Sequence, residues 1–418
     1  MEFGLIGEHL GHSFSADIHR RFGRYDYGLR ELSPGELGAF LEARDFAGLN
    51  VTIPYKEVVI PYLDRLDESA AAIGAVNTIV NRDGVLWGYN TDFGGMAAGM
   101  QRLLGLRAAN DRPYKSCPLS GKTVLILGTG GTSKTALAVC RTLGAKELIR
   151  VSRTGREGAL TYAAARSDCR NADMIINCTP AGMWPDLDGV PLDLAGFPGL
   201  EGVFDCVYNP LRTRLVLEAR GVPASGGLYM LVKQAALACE LFTGTPVEDD
   251  QVDIIYDALR RERENIVLIG MPGAGKSTVG RILAQKTGKV FADIDEEIVK
   301  RAGKPIPAIF TEDGEAAFRD LEADVVRELA GTGGRVIAAG GGTVLREENV
   351  RRLKQNGRLV FLDRPLDHLL PSPDRPLGDT AEKLRRLYAK RYPIYLSAAD
   401  DIVDASGDPE AVAERIAP

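Results

Sequence analysis

The sequence predicts an α/β protein made of three successive units, and three observations carry that prediction. The chain has 418 residues, close to three domains of about 150 residues each. Short apolar, β-rich runs alternate with stretches of helical period from end to end, which argues parallel sheets covered by helices throughout. Three of those runs, Phe3-Gly4-Leu5-Ile6-Gly7, Thr123-Val124-Leu125-Ile126-Leu127-Gly128 and Ile266-Val267-Leu268-Ile269-Gly270, are each followed by glycines and a helix-period stretch. Each reads as the first strand of its own unit.

In chain order, the run at 3–7 opens a lobe that reaches to about residue 105. The polar, turn-rich stretch Ala108-Ala109-Asn110-Asp111-Arg112-Pro113-Tyr114-Lys115-Ser116 reads as the crossing into a second lobe. That second lobe occupies 106–228. Helical stretches over 229–262 return to the first lobe, so residues 1–262 form one two-lobed domain, with 1–105 plus 229–262 on one side. The charged stretch Arg260-Arg261-Glu262-Arg263-Glu264 runs almost directly into the third strand, with nothing resembling a long flexible linker. A third unit then fills 263–418. No 20–50-residue repeat or low-complexity tract interrupts this order.

Composition narrows the function classes. Hydrophobic residues make up 45% and charged ones 26% of the chain, the balance of a globular protein and not of a disordered or membrane-spanning one. The formal net charge of −6 supplies no global basic field for nucleic acid or an acidic membrane. Anionic ligands must therefore be met by a few placed groups, and the expected partners are small molecules. Six cysteines, at 117, 140, 169, 178, 206 and 239, contain no Cys-x-x-Cys pair and suit neither a zinc site nor a disulfide framework. With no basic leader and no apolar run of membrane length, the expected location is the cytoplasm, with reduced thiols.

The sharpest local signal is Gly270-Met271-Pro272-Gly273-Ala274-Gly275-Lys276-Ser277-Thr278, which satisfies the phosphate-loop pattern between a strand and a helix. Gly270, Gly273, Ala274 and Gly275 let backbone N–H groups turn toward phosphate oxygens at a helix N-terminus. Lys276 supplies charge to the β/γ-phosphates, the Ser277 hydroxyl suits Mg²⁺, and Thr278 completes the motif. Next, Phe291-Ala292-Asp293-Ile294-Asp295 ends a strand with two aspartates at period two, a pattern shared by metal-and-hydroxyl chemistry and by an ordinary helix cap. Phe318-Arg319-Asp320-Leu321-Glu322, the triple glycine Gly340-Gly341-Gly342 after the strand run Val336-Ile337-Ala338-Ala339, and Lys390-Arg391-Tyr392-Pro393 follow.

This order resembles the shikimate kinase family over about residues 265 to 417. The resemblance implies ATP and Mg²⁺ as ligands, with Ser277 and Asp293 at the metal. It makes Asp295 the residue that binds and deprotonates the attacking hydroxyl. It also implies that Arg319 and Arg391 clamp the substrate carboxylate, that Glu322 orients Arg319, and that Gly340, Gly341 and Gly342 approach the substrate ring. Arg375 corresponds to the arginine ending the family's phosphate-covering lid. The preceding stretch 365–373 departs from the pattern, being short and proline-bearing, with a histidine where the family carries a further basic residue.

In the second lobe, Gly128-Thr129-Gly130-Gly131-Thr132-Ser133 follows a strand and opens a helix, the context a dinucleotide site needs. The similar Gly331-Thr332-Gly333-Gly334 precedes a strand and reads as a turn. About twenty residues beyond the first copy, the next strand ends at Val151-Ser152-Arg153-Thr154. The basic group there, where an NAD site carries an acid, favours the 2′-phosphate of NADP(H), although a solvated arginine has the same sequence signature.

In the first lobe, His12-Ser13-Phe14-Ser15, Asn50-Val51-Thr52-Ile53-Pro54-Tyr55-Lys56, Gly74-Ala75-Val76-Asn77-Thr78 and Gly88-Tyr89-Asn90-Thr91-Asp92 set polar groups at the ends of apolar runs. Singly, each reads as a cap, a turn or a solvated charge. Together they resemble the shikimate dehydrogenase family over about residues 1 to 260. The match continues through Asn177-Cys178-Thr179-Pro180-Ala181-Gly182-Met183, Asp205-Cys206-Val207-Tyr208-Asn209-Pro210 and Gly226 to Ala235. It implies that Ser13, Ser15, Thr52, Lys56, Asn77, Asp92, Tyr208 and Gln234 contact substrate, with Lys56 and Asp92 catalytic. Gly128, Gly130, Gly131, Ser152, Arg153 and Gly227 then hold NADP(H). Ala16 and Ser152 depart from the family's usual proline and asparagine, and neither removes a reacting group.

The expectation from the two resemblances is a bifunctional shikimate-pathway enzyme. It reduces 3-dehydroshikimate with NADPH, then phosphorylates the resulting shikimate with Mg-ATP, with Lys276 and Asp295 acting in the second step. The alternatives are an N-terminal domain acting on quinate, or one serving as a metabolite sensor attached to a small-molecule kinase.

Overall fold

The computed structural model describes residues 2–11, 13–105, 117–156, 158–369 and 380–417. The crossing at 108–116, His12 and the lid arginine Arg375 lie outside the described residues. The chain divides into two compact units. One comprises Met1–Met183, Gly189–Asn209 and Glu218–Ala258, the other Trp184–Asp188, Pro210–Leu217 and Leu259–Pro418.

The first unit holds two sheets. Strands β1 (Phe3–Gly7), β2 (Tyr27–Glu31), β3 (Gly48–Val51), β4 (Arg65–Leu66), β5 (Thr78–Arg82) and β6 (Val85–Tyr89) form one, ordered β2-β1-β3-β5-β6-β4. Its β1 runs parallel to β2 and β3, whereas β5 is antiparallel to both β3 and β6. The expectation of parallel sheets throughout is therefore corrected here. The cause is local: Asp83 (φ 51°) and Gly84 (φ 82°) are both left-handed, the conformation of a two-residue hairpin turn, which forces β6 back alongside β5.

Strands β7 (Thr123–Leu127), β8 (Glu147–Ser152), β9 (Leu160–Thr161), β10 (Met174–Asn177), β11 (Gly202–Asp205) and β12 (Ala224–Ser225) make the second sheet, ordered β12-β11-β10-β7-β8-β9 and wholly parallel. All five residues of β7 are buried, as expected for a central strand covered on both faces. The strand order reverses between β7 and β10, so a crevice opens beyond their carboxyl ends. Helix Leu228–Thr243 packs along helix Thr91–Leu103. The contact is close because Gly95 lacks a Cβ, which would lie 2.6 Å from the Met230 carbonyl oxygen.

The second unit is built on β13 (Asn265–Ile269), β14 (Val290–Asp293), β15 (Arg335–Ala338), β16 (Gly357–Asp363) and β17 (Asp401–Asp404), parallel and ordered β14-β15-β13-β16-β17. Alternation along the buried β13 splits its side chains between two cores. Val267 and Ile269 join Phe318, Val326 and Tyr395 on one face, while Ile266 and Leu268 join Val279, Leu283 and Val412 on the other. Each such side chain contributes about 1.5–3 kcal/mol by leaving water. Two short stretches from earlier in the chain complete this unit. Asp188 pairs with Arg352 at 2.8 Å, Gln355 donates to the Leu187 carbonyl, and Leu211 N–H donates to Asn356.

Candidate active sites

In the first unit, Lys56 lies on the loop after β3, and its Nζ donates to Asp92 Oδ2 at 2.6 Å. The two side chains are only 17% and 8% exposed, so the pair is partly withdrawn from solvent and correspondingly strengthened. Asp92 stands in the first turn of helix Thr91–Leu103, where Asn90 caps the chain by accepting from Phe93 N–H. A helix N-terminus favours a carboxylate there. Around it, Asn77 donates to Thr91 Oγ1 at 3.0 Å and to Gln234 Oε1 at 3.3 Å, while accepting from Thr91 N–H at 2.7 Å. Behind Asn77, Asn50 donates to its carbonyl and to Thr78, and accepts from the Tyr27 hydroxyl.

Ser13 and Ser15 form their own turn, with Ser15 N–H donating to Ser13 Oγ at 3.2 Å. Between them Phe14 meets the Tyr208 ring at 5.2 Å, which draws the segment after β11 to this end of the first lobe. Thr52 leaves β3 with its N–H bonded to the Ile6 carbonyl.

The glycine loop of the second lobe sits beside the same lysine. A Cβ on Gly131 would lie 3.7 Å from Lys56 Cβ, and Lys134, one turn later, pairs with Glu57 at 2.7 Å. Gly128, at φ 111°, follows β7 and donates its N–H to the Val151 carbonyl, and Gly130 precedes helix Gly131–Thr142; the first N–H groups of a helix have no partner within it and suit an anion. Ser152 accepts from Gly155 N–H at 3.1 Å, shaping the turn that carries the exposed Arg153. These groups suit a dinucleotide bearing a 2′-phosphate. Gly227 caps helix Leu228–Thr243, and a Cβ there would fall 2.3 Å from the Cys206 carbonyl oxygen. Packing alone therefore requires glycine at 227.

In the second unit, a cavity of about 480 Å³ is lined by the phosphate loop, Asp293, Asp295, Arg319, the triple glycine and Arg391. Lys276 Nζ donates to the carbonyls of Gly270 and Met271 at 2.9 and 3.0 Å. Asp293 takes the helix-cap role, its Oδ1 accepting from Asp295 N–H at the start of helix Ile294–Ala302, while its Oδ2 accepts from Ser277 at 2.5 Å. That hydroxyl and carboxylate are a hard oxygen pair and fit Mg²⁺, which takes few protein ligands and fills the rest with phosphate oxygens and water.

Burial, reinforced by the neighbouring Asp293, pushes the Asp295 carboxyl up to about 6, although Lys276 pulls it down. The triple glycine leaves room for these charges. A Cβ on Gly340 would lie 2.7 Å from Asp295 Oδ1, and one on Gly342 would lie 2.3 Å from Arg319 Nη1. Arg319 donates to the fully buried Glu322 at 2.8 Å. Arg391 donates to the Gly341 carbonyl at 2.9 Å, and the Tyr395 hydroxyl donates to the same oxygen at 2.5 Å.

Comparison with known proteins identifies both halves. Residues 5–79 match the shikimate dehydrogenase substrate-binding domain. Over 284 residues the chain is 37% identical to the NADP(+) shikimate dehydrogenase of Geobacillus kaustophilus, covering 62% of this chain and 99% of that protein. The chain belongs to the shikimate dehydrogenase family. Residues 272–418 match the shikimate kinase family, so the second unit is a shikimate kinase domain. Among solved structures, shikimate dehydrogenase 1 of Peptoclostridium difficile superposes with a TM-score of 0.55 at 33% identity, covering 62% of this chain and 98% of its own. A chorismate mutase/shikimate 5-dehydrogenase fusion from Clostridium acetobutylicum gives 0.55 at 31%, covering 62% and 96%.

In the shikimate dehydrogenase half, the structure brings Lys56 together with Asp92, and Asn77 with Gln234; Ser13 pairs with Ser15 near Tyr208. In the shikimate kinase domain, Lys276, Ser277, Asp293, Asp295, Arg319 and Arg391 share one cavity. Sequence reasoning overlooked Thr91, whose hydroxyl lies between Asn77 and Gln234, and Thr343, which donates to Glu322 at 2.8 Å. It also overlooked Tyr395, although its spacing of four from Arg391 on one helix was a usable signal.

Proposed function

We propose that this chain is a bifunctional enzyme which reduces 3-dehydroshikimate to shikimate with NADPH and then phosphorylates the shikimate with Mg-ATP. One observation carries the reading. The same chain holds an ammonium gripped by a carboxylate, and a carboxylate set beside a phosphate loop and two guanidinium groups.

NADPH, when bound along Gly128, Gly130, Gly131 and Arg153, supplies the hydride. Reduction of the ring carbonyl leaves negative charge on its oxygen, and Lys56 Nζ is the group that protonates it. Asp92 aims Lys56 through their 2.6 Å contact and accepts from a substrate hydroxyl. Asn77 and Gln234, already ordered through Thr91, offer amides to further ring hydroxyls, while Ser13, Ser15 and Thr52 suit the carboxylate end. In the kinase domain, Arg319 and Arg391 grip the shikimate carboxylate, and the bare Gly340–Gly342 backbone admits the ring against them. Asp295 accepts the proton of the attacking hydroxyl, a role suited to a carboxyl pushed up to about 6. Ser277 and Asp293 would hold Mg²⁺, which would supply positive charge against the phosphates, and Lys276 Nζ adds its own charge there.

The test measures each half-reaction separately on the purified chain, with quinate as comparator. We expect NADPH-dependent reduction of 3-dehydroshikimate and MgATP-dependent phosphorylation of shikimate, with kcat/KM for shikimate oxidation exceeding that for quinate. A preference for quinate would overturn the substrate assignment, and binding without reduction would make the first unit a sensor.

A further inference from the structure

Arg364 directly follows β16, the strand paired with β13, which feeds the phosphate loop. Its Nη1 lies 3.9 Å from the point a Cβ would occupy on Gly275. Gly275 precedes Lys276, caps helix Lys276–Thr287 in the left-handed conformation (φ 91°), and lines the 480 Å³ cavity. The Arg364 Nε is buried and has no hydrogen-bond partner among the described residues. In an open parallel sheet, ligands bind beyond the carboxyl ends of strands, where Arg364 stands.

A cation with an N–H withdrawn from water and left unbonded is costly unless an anion completes it. The anions this loop is shaped to hold are phosphate oxygens, which a guanidinium fork matches well. The next ten residues, Pro365 to Asp374, include neither lysine nor arginine, so Arg364 is the cation this stretch brings to the strand end. We propose that Arg364 is a nucleotide-binding residue of the kinase site, pairing its guanidinium with a phosphate oxygen of bound nucleotide beside Gly275. The inference rests on reading the second unit as an ATP-dependent kinase.

The test uses the full chain as wild type, Arg364→Ala and Arg364→Lys. MgADP and adenosine are titrated without shikimate, KM values for ATP and shikimate are measured, and NADPH-dependent reduction checks the integrity of the first unit. For Arg364→Ala we expect MgADP affinity to fall about 10- to 100-fold, the loss typical of a hydrogen bond to a charged group, with the KM for ATP rising in step. Adenosine affinity, the KM for shikimate and the reductase rate should stay unchanged, and lysine should restore part of the loss. Unchanged MgADP affinity in Arg364→Ala, beside a wild type that phosphorylates shikimate, would overturn the inference and leave the kinase reading intact. Equal losses for adenosine and MgADP would also overturn it, by assigning Arg364 to loop packing. A wild type that neither binds MgADP nor phosphorylates shikimate would bring down the kinase reading and the inference with it.

Discussion

Single charged residues set the chemistry, and two of them yield measurable signatures. Burial raises the Asp295 carboxyl from its ordinary 3.8 to about 6. Between those values the folded chain holds a proton that the unfolded chain has released, so this group's contribution to stability is lost as pH rises through the window. The loss amounts to about 3 kcal/mol above pH 6. Asp295→Asn should therefore stabilise the kinase unit at pH 7.5 by about 1–3 kcal/mol in thermal or denaturant unfolding, while abolishing phosphorylation. In wild type, kcat/KM for shikimate phosphorylation should fall about tenfold per pH unit below 6. Arg153→Ala should raise the KM for NADPH about tenfold and leave that for NADH nearly unchanged, the selectivity expected of a 2′-phosphate partner; equal losses would place Arg153 elsewhere. Legibility at this scale followed chain distance. Lys276, Ser277 and Gly275 were readable because a phosphate loop works through adjacent residues. Lys56 and Asp92 are 36 residues apart and Asn77 and Gln234 are 157 apart, so only the family resemblance, with no local pattern, could join them.

Secondary elements convert those residues into sites by how they begin and end. Asp293 was ambiguous in sequence because a strand-end aspartate suits both a helix cap and a metal site; in the structure one carboxylate oxygen caps the helix and the other accepts from the Ser277 hydroxyl. The β5–β6 hairpin was legible as Asp-Gly flanked by apolar alternation, yet the prevailing parallel pattern concealed it. The triple glycine shows the limit most clearly. Its sequence announces only a loop, and its function as open space against Asp295 and Arg319 depends on elements far away in the chain. Gly342→Ala would place a Cβ 2.3 Å from Arg319 Nη1 and displace the guanidinium. The KM for shikimate in phosphorylation should rise about 10- to 100-fold, with the KM for ATP and the reductase unchanged. A raised KM for ATP alone would refute this assignment of the loop.

At the scale of the whole molecule, the kinase unit is not one continuous stretch. Arg352 is 5% exposed and relies on Asp188 and Glu348 for its charge partners, and burial acts against an Asp188 carboxylate that Arg352 and Arg351 hold below its ordinary range. A fragment of residues 263–418 loses Asp188, Leu187 and Leu211, leaving buried groups unpaired at a cost of about 1–3 kcal/mol each. It should melt well below the kinase transition of the full chain, and an equal melting temperature would show that those contacts contribute nothing. The chain's net negative charge is compatible with the proposed anionic ligands because a few placed cations are available to meet them: Lys56, Arg153, Lys276, Arg319 and Arg391. The most direct test of two consecutive reactions on one chain supplies 3-dehydroshikimate, NADPH and MgATP to wild type, Lys56→Ala and Lys276→Ala, and follows NADPH oxidation and shikimate 3-phosphate together. Wild type should form shikimate 3-phosphate. Lys276→Ala should stop at shikimate, and Lys56→Ala should leave 3-dehydroshikimate unreduced while still phosphorylating added shikimate. Reduction that survives Lys56→Ala, or phosphorylation that survives Lys276→Ala, would contradict the account.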